Sequence, residues 1–199
     1  FDGMGFTIRN LTINRPAENY VGLFAVIDNA SVKNVSIESS TVSGNHDVGG
    51  LAGYGINSDV LNCSVDCDVI AACWYAGGLI GYIYNGCLIE NSHAHGDINA
   101  ASTSAGGFLG KCYGATVNQC SATGNLSGAG SFHGGFVGQL RSSTLSNCFA
   151  TGDISSTGNA AGGFIGIAIN ARKAVSYCYA SGSSMDYDFV GYVSSNGLE

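Results

Sequence analysis

Apolar residues in this chain fall in short runs separated by Gly, Asn, Asp and Ser, and the runs recur at a fixed spacing. A Gly-apolar-apolar-Gly tetrapeptide appears at Gly50-Leu51-Ala52-Gly53, Gly78-Leu79-Ile80-Gly81, Gly107-Phe108-Leu109-Gly110, Gly135-Phe136-Val137-Gly138 and Gly163-Phe164-Ile165-Gly166. The starts lie 28, 29, 28 and 28 residues apart. Degenerate copies flank the set at Gly22-Leu23-Phe24-Ala25 and Asp188-Phe189-Val190-Gly191. A constant period in this range marks a solenoid or array built from one repeated unit.

Further columns fix the register. One apolar column reads Ile8, Val32, Val60, Ile89, Val117, Leu145, Val175, and two positions on come Asn10, Asn34, Asn62, Asn91, Gln119, Asn147, Tyr177. Next come a Leu/Val/Cys column (Leu11, Val35, Cys63, Ser92, Cys120, Cys148, Cys178) and, two further on, an Ile/Val/Ala column ending in Ala94, Ala122, Ala150 and Ala180. A turn then opens a third segment carrying Val69, Ile98, Leu126 and Ile154. Runs of this length bounded by turn formers read as strands. The expected fold is all-β: a single-stranded parallel β-helix (β-solenoid) of about seven coils of ~28 residues, three short strands per coil, rising ~4.8 Å per coil. The last two columns, two residues apart, share one strand face and point inward. The leading column breaks that alternation, so a corner must intervene at the Asn column, where Asn tolerates left-handed backbone and stacked amides bond one another.

Composition agrees. With 31 Gly against one Pro and only 11% charged residues, the chain is starved of helix formers and rich in strand formers. The net charge is −7, and the seven basic residues are scattered, so no patch exists to displace counterions from nucleic acid. No apolar run is long enough for a membrane helix. The start at Phe1 shows neither signal peptide nor initiator Met. Residues 1–197 therefore read as one repeat domain from a larger exported protein, and Leu198-Glu199 as a vector remnant.

Candidate chemistry is sparse. Cys63, Cys120, Cys148 and Cys178 occupy an inward column, where a thiol acts as a small apolar group, although neighbouring coils also bring them within disulfide reach. Cys67, Cys73, Cys87 and Cys112 follow no column and form no Cys-x-x-Cys pair. Asp68, Asp97, Asn125, Asp153 and Ser183 line one turn; the three Asp are weak calcium candidates, and turn chemistry, for which Asp and Asn are ordinary residues, is the leading explanation. The four His lack metal-site spacing and read as solvated surface groups. No catalytic residue and no cofactor site emerges. Two features suit a partner. Adjacent strand residues point oppositely, so one apolar column of the tetrapeptide, typified by Phe108, Phe136 and Phe164, is left outside unless something bends or covers the strand. Trp74, Tyr75 and Phe132, with His46, precede the Gly-Gly positions and make an aromatic edge for sugars.

The tetrapeptide, preceded by a further Gly and repeated at this period, resembles the GLUG motif of bacterial surface adhesins and of the non-catalytic regions of IgA-specific peptidases. That resemblance implies a right-handed β-helix, an extracellular or cell-surface location on a bacterium, and a role as stalk or adhesive surface without chemistry of its own. Expected partners are a host or cell-surface protein or glycan, with end-to-end or side-by-side self-association at uncapped strand edges. Two alternatives stand beside it: a carbohydrate-active or carbohydrate-binding β-helix with a groove along Asp68, Asp97 and Asp153, and an accessory region of a secreted peptidase.

Overall fold

A computed structural model describes residues 1–101, 103–171, 174–184 and 187–194. Leu198-Glu199 lie outside the described residues. The described chain has strands and no helix, and the strands pair parallel, coil upon coil. The chain is thus a β-solenoid, and the strands of the repeat tetrapeptide form one sheet of seven rungs, from Phe24–Asp28 through Ala52–Ile56, Ile80–Tyr84, Leu109–Tyr113, Val137–Arg141 and Ile165–Ile169 to Val190–Val193.

The three apolar segments are all present, and two are divided by a bend. A full coil runs Tyr75–Gly77, Ile80–Tyr84, Leu88–Glu90, His93–Ala94, Ile98–Ala100. The Asn column marks one bend: Asn10, Asn34, Asn62, Asn91, Gln119, Asn147 and Tyr177 all have φ between 48° and 56°. Their amides form the expected ladder in part, Asn91 Nδ2 donating to Asn62 Oδ1 (2.9 Å) and Asn62 Nδ2 to Asn34 Oδ1 (3.3 Å). Ser92, the polar exception in the column that follows, is buried because its hydroxyl donates to the Glu90 carbonyl (3.0 Å) and accepts the Cys63 N–H (3.1 Å).

The second bend overturns one expectation. Phe108, Phe136 and Phe164 are not a surface: each is 0% exposed, and so are Leu109, Val137 and Ile165 beside them. Strict alternation fails because the chain turns between the paired Gly and the second apolar residue, so consecutive residues enter the core from two walls. The turn repeats from Leu51 to Ile165 in successive coils, the N–H groups of Phe108 and Leu109, for example, both donating to the Phe136 carbonyl (2.9 and 3.0 Å). Identical register stacks the rings nearly parallel, Phe108 on Phe136 at 4.7 Å and Phe136 on Phe164 at 4.9 Å between centroids. The glycines permit this bend by close approach of backbone to backbone. A Cβ at Gly135 would overlap the Gly163 carbonyl oxygen, and one at Gly138 would meet the Ala105 backbone.

The cysteines are free thiols, six of the eight buried. Cys120 and Cys148 donate to the carbonyls of Asn118 and Ser146 (3.1 Å each). Cys112 and Cys87 do have places in the repeat: Cys112 pairs in register with Ile83 and Leu140, and the Cys87 and Ser58 carbonyls accept equivalent N–H groups in successive coils. Burial pushes the Cys112 thiol up to about 12, against the thiolate form a nucleophile needs.

Candidate functional site

The outer surface of the solenoid carries a cluster of aromatic side chains that the repeat does not demand. It is built where two sheets meet. One edge comes from the row Asp47, Tyr75, Ser104, Phe132, Ala160, set by strands Val48–Gly49, Tyr75–Gly77, Ser104–Gly106, Phe132–Gly134 and Ala160–Gly162. Facing it, on the seven-rung sheet, lie the rows Tyr54, Tyr82, Lys111, Gln139 and Ile56, Tyr84, Tyr113, Arg141.

Contacts run along and across these rows. His46 stacks on Trp74 at 4.4 Å, Tyr75 meets Tyr82 at 5.3 Å, and Tyr82 meets Tyr54 at 5.2 Å, which in turn meets Tyr20 at 5.8 Å. Tyr84 packs edge-on against Tyr113 at 5.1 Å. Two of the chain's few cations seat themselves on these rings. Lys111 Nζ lies 4.8 and 4.6 Å from the ring centres of Tyr75 and Tyr82 and donates to the Tyr75 hydroxyl (3.2 Å), while the Arg141 guanidinium lies over Tyr113 at 5.1 Å. Such cation and ring pairs hold a long side chain in one place at a surface. Trp74 remains 55% exposed and Tyr20 45%.

Beneath the cluster sits Asp47. It is 5% exposed, and its Oδ1 has no hydrogen-bond partner among the described residues. Burial pushes its carboxyl up to about 6, against the opposing pull of His46 and Lys111. Its charge in turn reaches the phenols of Tyr54 and Tyr82, which burial, chiefly, and neighbouring Tyr residues push upward. Tyr20, Asp47 and Trp74 all carry left-handed backbone, with φ of 57°, 53° and 56°. That is uncommon for non-glycine residues and an outlier for bulky ones.

Among the residues expected from sequence, Trp74 and Tyr75 belong to this cluster together with His46, and Phe132 lies in the row of Tyr75 with the small Ser104 rung between them. Sequence reading missed Tyr54, Tyr82, Tyr84, Tyr113 and Lys111, because at these outward positions the residue type changes from coil to coil. The chance to find them lay in the spacing alone: each follows the last Gly of a tetrapeptide by one or three positions.

Asp68, Asp97 and Asp153 lie elsewhere, on a different turn. Asp68 Oδ1 accepts the Asp97 N–H (3.0 Å), Asp97 Oδ1 the Asn125 N–H (2.7 Å), and Asp153 Oδ1 the Ser183 N–H (2.9 Å). These bonds from Ser183 hold the Asp153 carboxyl below its ordinary range. Each coil thus caps the backbone of the next, and no group of three or more His, Cys, Asp or Glu converges as metal ligands among the described residues. His93 and His95 pair with hydroxyls one coil on, Ser121 at 2.8 Å and Thr123 at 3.0 Å. His133 is not a solvated group: it is buried in the inward row between Ala105 and Ala161.

A parallel β-solenoid with a core of repeated columns and one irregular aromatic face defines a repeat module. Its sequence kinship agrees. The model of the GLUG motif matches residues 44–70 and 72–99, and the same tetrapeptide continues in register beyond them. A stretch of 53 residues is 47% identical to halomucin from Haloquadratum walsbyi, which covers 26% of this chain and 1% of that protein's length. The whole chain superimposes on the crystal structure of a Bacteroides ovatus protein provisionally named an immunoglobulin A1 protease, with a TM-score of 0.79, over 68% of that chain. At 20% identity this likeness is one of fold. No helix among the described residues is long and apolar enough to cross a membrane.

Proposed function

We propose that this segment is a non-catalytic, extracellular β-solenoid module that acts in cell-surface adhesion or as a stalk, with the aromatic cluster around Trp74 and Tyr82 as its contact surface. The observation that carries this reading is the division of the side chains. Most thiols, the Asn amides and the turn carboxylates serve the core or the backbone of the next coil, whereas the aromatic cluster, half-buried at Tyr54, Tyr82 and Tyr84 and exposed at Trp74, fills positions whose residue type changes from coil to coil. Resemblance to halomucin, and to the fold of the Bacteroides ovatus protein, supports an exported setting.

A reducing-end release assay on soluble polysaccharides, run beside a glycan and host-protein array, tests it. Binding without turnover, or neither, is the expected result for an adhesive or spacer module. Release of reducing ends that disappears in Asp97→Ala or Asp153→Ala would overturn it in favour of a carbohydrate-active groove along the Asp face, where a shallow depression is lined by Asp68, Asp97, Asn99 and Ser127.

A further inference from the structure

The aromatic cluster has one open ring face and a specific set of polar groups beside it. His46, in the preceding coil, covers one side of the Trp74 indole. Register places Thr103 beside Trp74 and Ser104 beside Tyr75 in the following coil, with the Ser104 N–H donating to the Trp74 carbonyl (2.8 Å). The aromatic rungs therefore step down to small residues there, and rise again at Phe132, two rungs or roughly 9.6 Å beyond Tyr75. Beside this step lie the Tyr75 hydroxyl and the Lys111 ammonium, bonded to one another at 3.2 Å. Asp47 lies behind them in the row of Tyr75, buried and with an unpartnered oxygen.

We infer that this step binds a pyranose unit of a glycan chain, an assignment that rests on the adhesive reading of the module. A pyranose presents a face of weakly positive C–H groups, which complements the negative face of an indole ring. Its rim of hydroxyls both donates and accepts, matching an ammonium donor and a phenol that does either. A stable protein partner would cover roughly 800 Å² on this side, some 20–30 residues. Here the Tyr rings are spent against one another edge to face, which leaves one indole face and a line of polar tips. The left-handed backbone of Trp74 and Asp47 fits a site that holds its groups against local preference.

Trp74 is the sole tryptophan of the chain, so its fluorescence reports on this site alone. The experiment is affinity electrophoresis of the full chain in gels containing mixed-linkage β-glucan, xylan, galactomannan, glucomannan or polygalacturonate, with Trp74 fluorescence followed as an oligosaccharide of any retarding polymer is added. Retardation by at least one polymer is expected, with a change in Trp74 emission and a loss of about tenfold or more in affinity for Trp74→Ala and Lys111→Ala, as for a central contact residue. Phe149→Ala, on another face where Phe149 stacks with Tyr179, should bind as the parent does. Retardation by polygalacturonate alone, lost in Lys111→Ala, assigns an acidic glycan to the same site. Retardation that survives Trp74→Ala overturns the site. Capture of a protein on the array with no retardation by any polysaccharide overturns the glycan class and leaves the adhesive module standing, whereas reducing-end release overturns the module reading itself.

Discussion

Two aromatic arrays run along this solenoid, one inside and one outside, and they differ in a way that separates folding from function. Inside, Phe108, Phe136, Phe164 and Phe189 stack within 11° of parallel, because each occupies the same position of successive coils and has nowhere else to go. Outside, Tyr20, Tyr54, Tyr82, Tyr84 and Tyr113 meet at steep angles of 61° to 73°, the edge-to-face geometry that rings prefer when they are free to choose. The inner array repeats; the outer one changes from Tyr to Lys to Gln along a single row. Repetition is what a stacked core requires, whereas outward positions are free to differ from coil to coil.

The sharpest break of the inner array is Gly135→Ala. The new Cβ would be forced into the Gly163 carbonyl of the next coil, with the short Ala150 methyl also close and unable to swing away. Loss of more than about 4 kcal/mol, or failure to fold, is expected by chemical denaturation. Phe136→Ala removes an interior ring of the inner stack and leaves a cavity that the adjoining coils cannot close, for a loss of about 3–5 kcal/mol.

Asp47 sharpens the comparison from the other side, because it is an outer residue that costs stability. Its folded-state carboxyl titrates near 6, above the unfolded value of 3.8. Between these values the folded protein holds a proton that the unfolded chain has lost, so stability is greatest below about pH 4 and falls as pH rises through 6, by up to about 3 kcal/mol. Asp47→Asn, which keeps a residue tolerant of φ 53°, should flatten that dependence and raise the melting temperature at neutral pH. A melting profile between pH 4 and 7 that stays the same in both proteins would remove the buried carboxylate from this account.

Much of the fold was legible in the sequence because stacking makes one physical demand at each column. The Asn column announced a left-handed corner, the Cys and Ala columns announced the interior, and the Gly-apolar-apolar-Gly spacing announced the period. The inward place of Phe108, Phe136 and Phe164 was misjudged for a local reason: alternation holds along a straight strand, and here the chain bends within the tetrapeptide. The candidate site was legible only at its rim. Trp74, Tyr75 and Phe132 stood out as aromatics before Gly-Gly, but Tyr54, Tyr82 and Lys111 share a row without sharing a residue type, and nothing in the sequence around Asp47 signals its burial.

The central claim is that the inner array holds the solenoid together and the outer one does not. Equilibrium urea denaturation of Phe136→Ala beside Trp74→Ala tests it most directly. Phe136 is fully buried and Trp74 is 55% exposed, so the account predicts a loss of about 3–5 kcal/mol for the first and within about 0.5 kcal/mol for the second. Equal losses, or a larger one at Trp74, would contradict it.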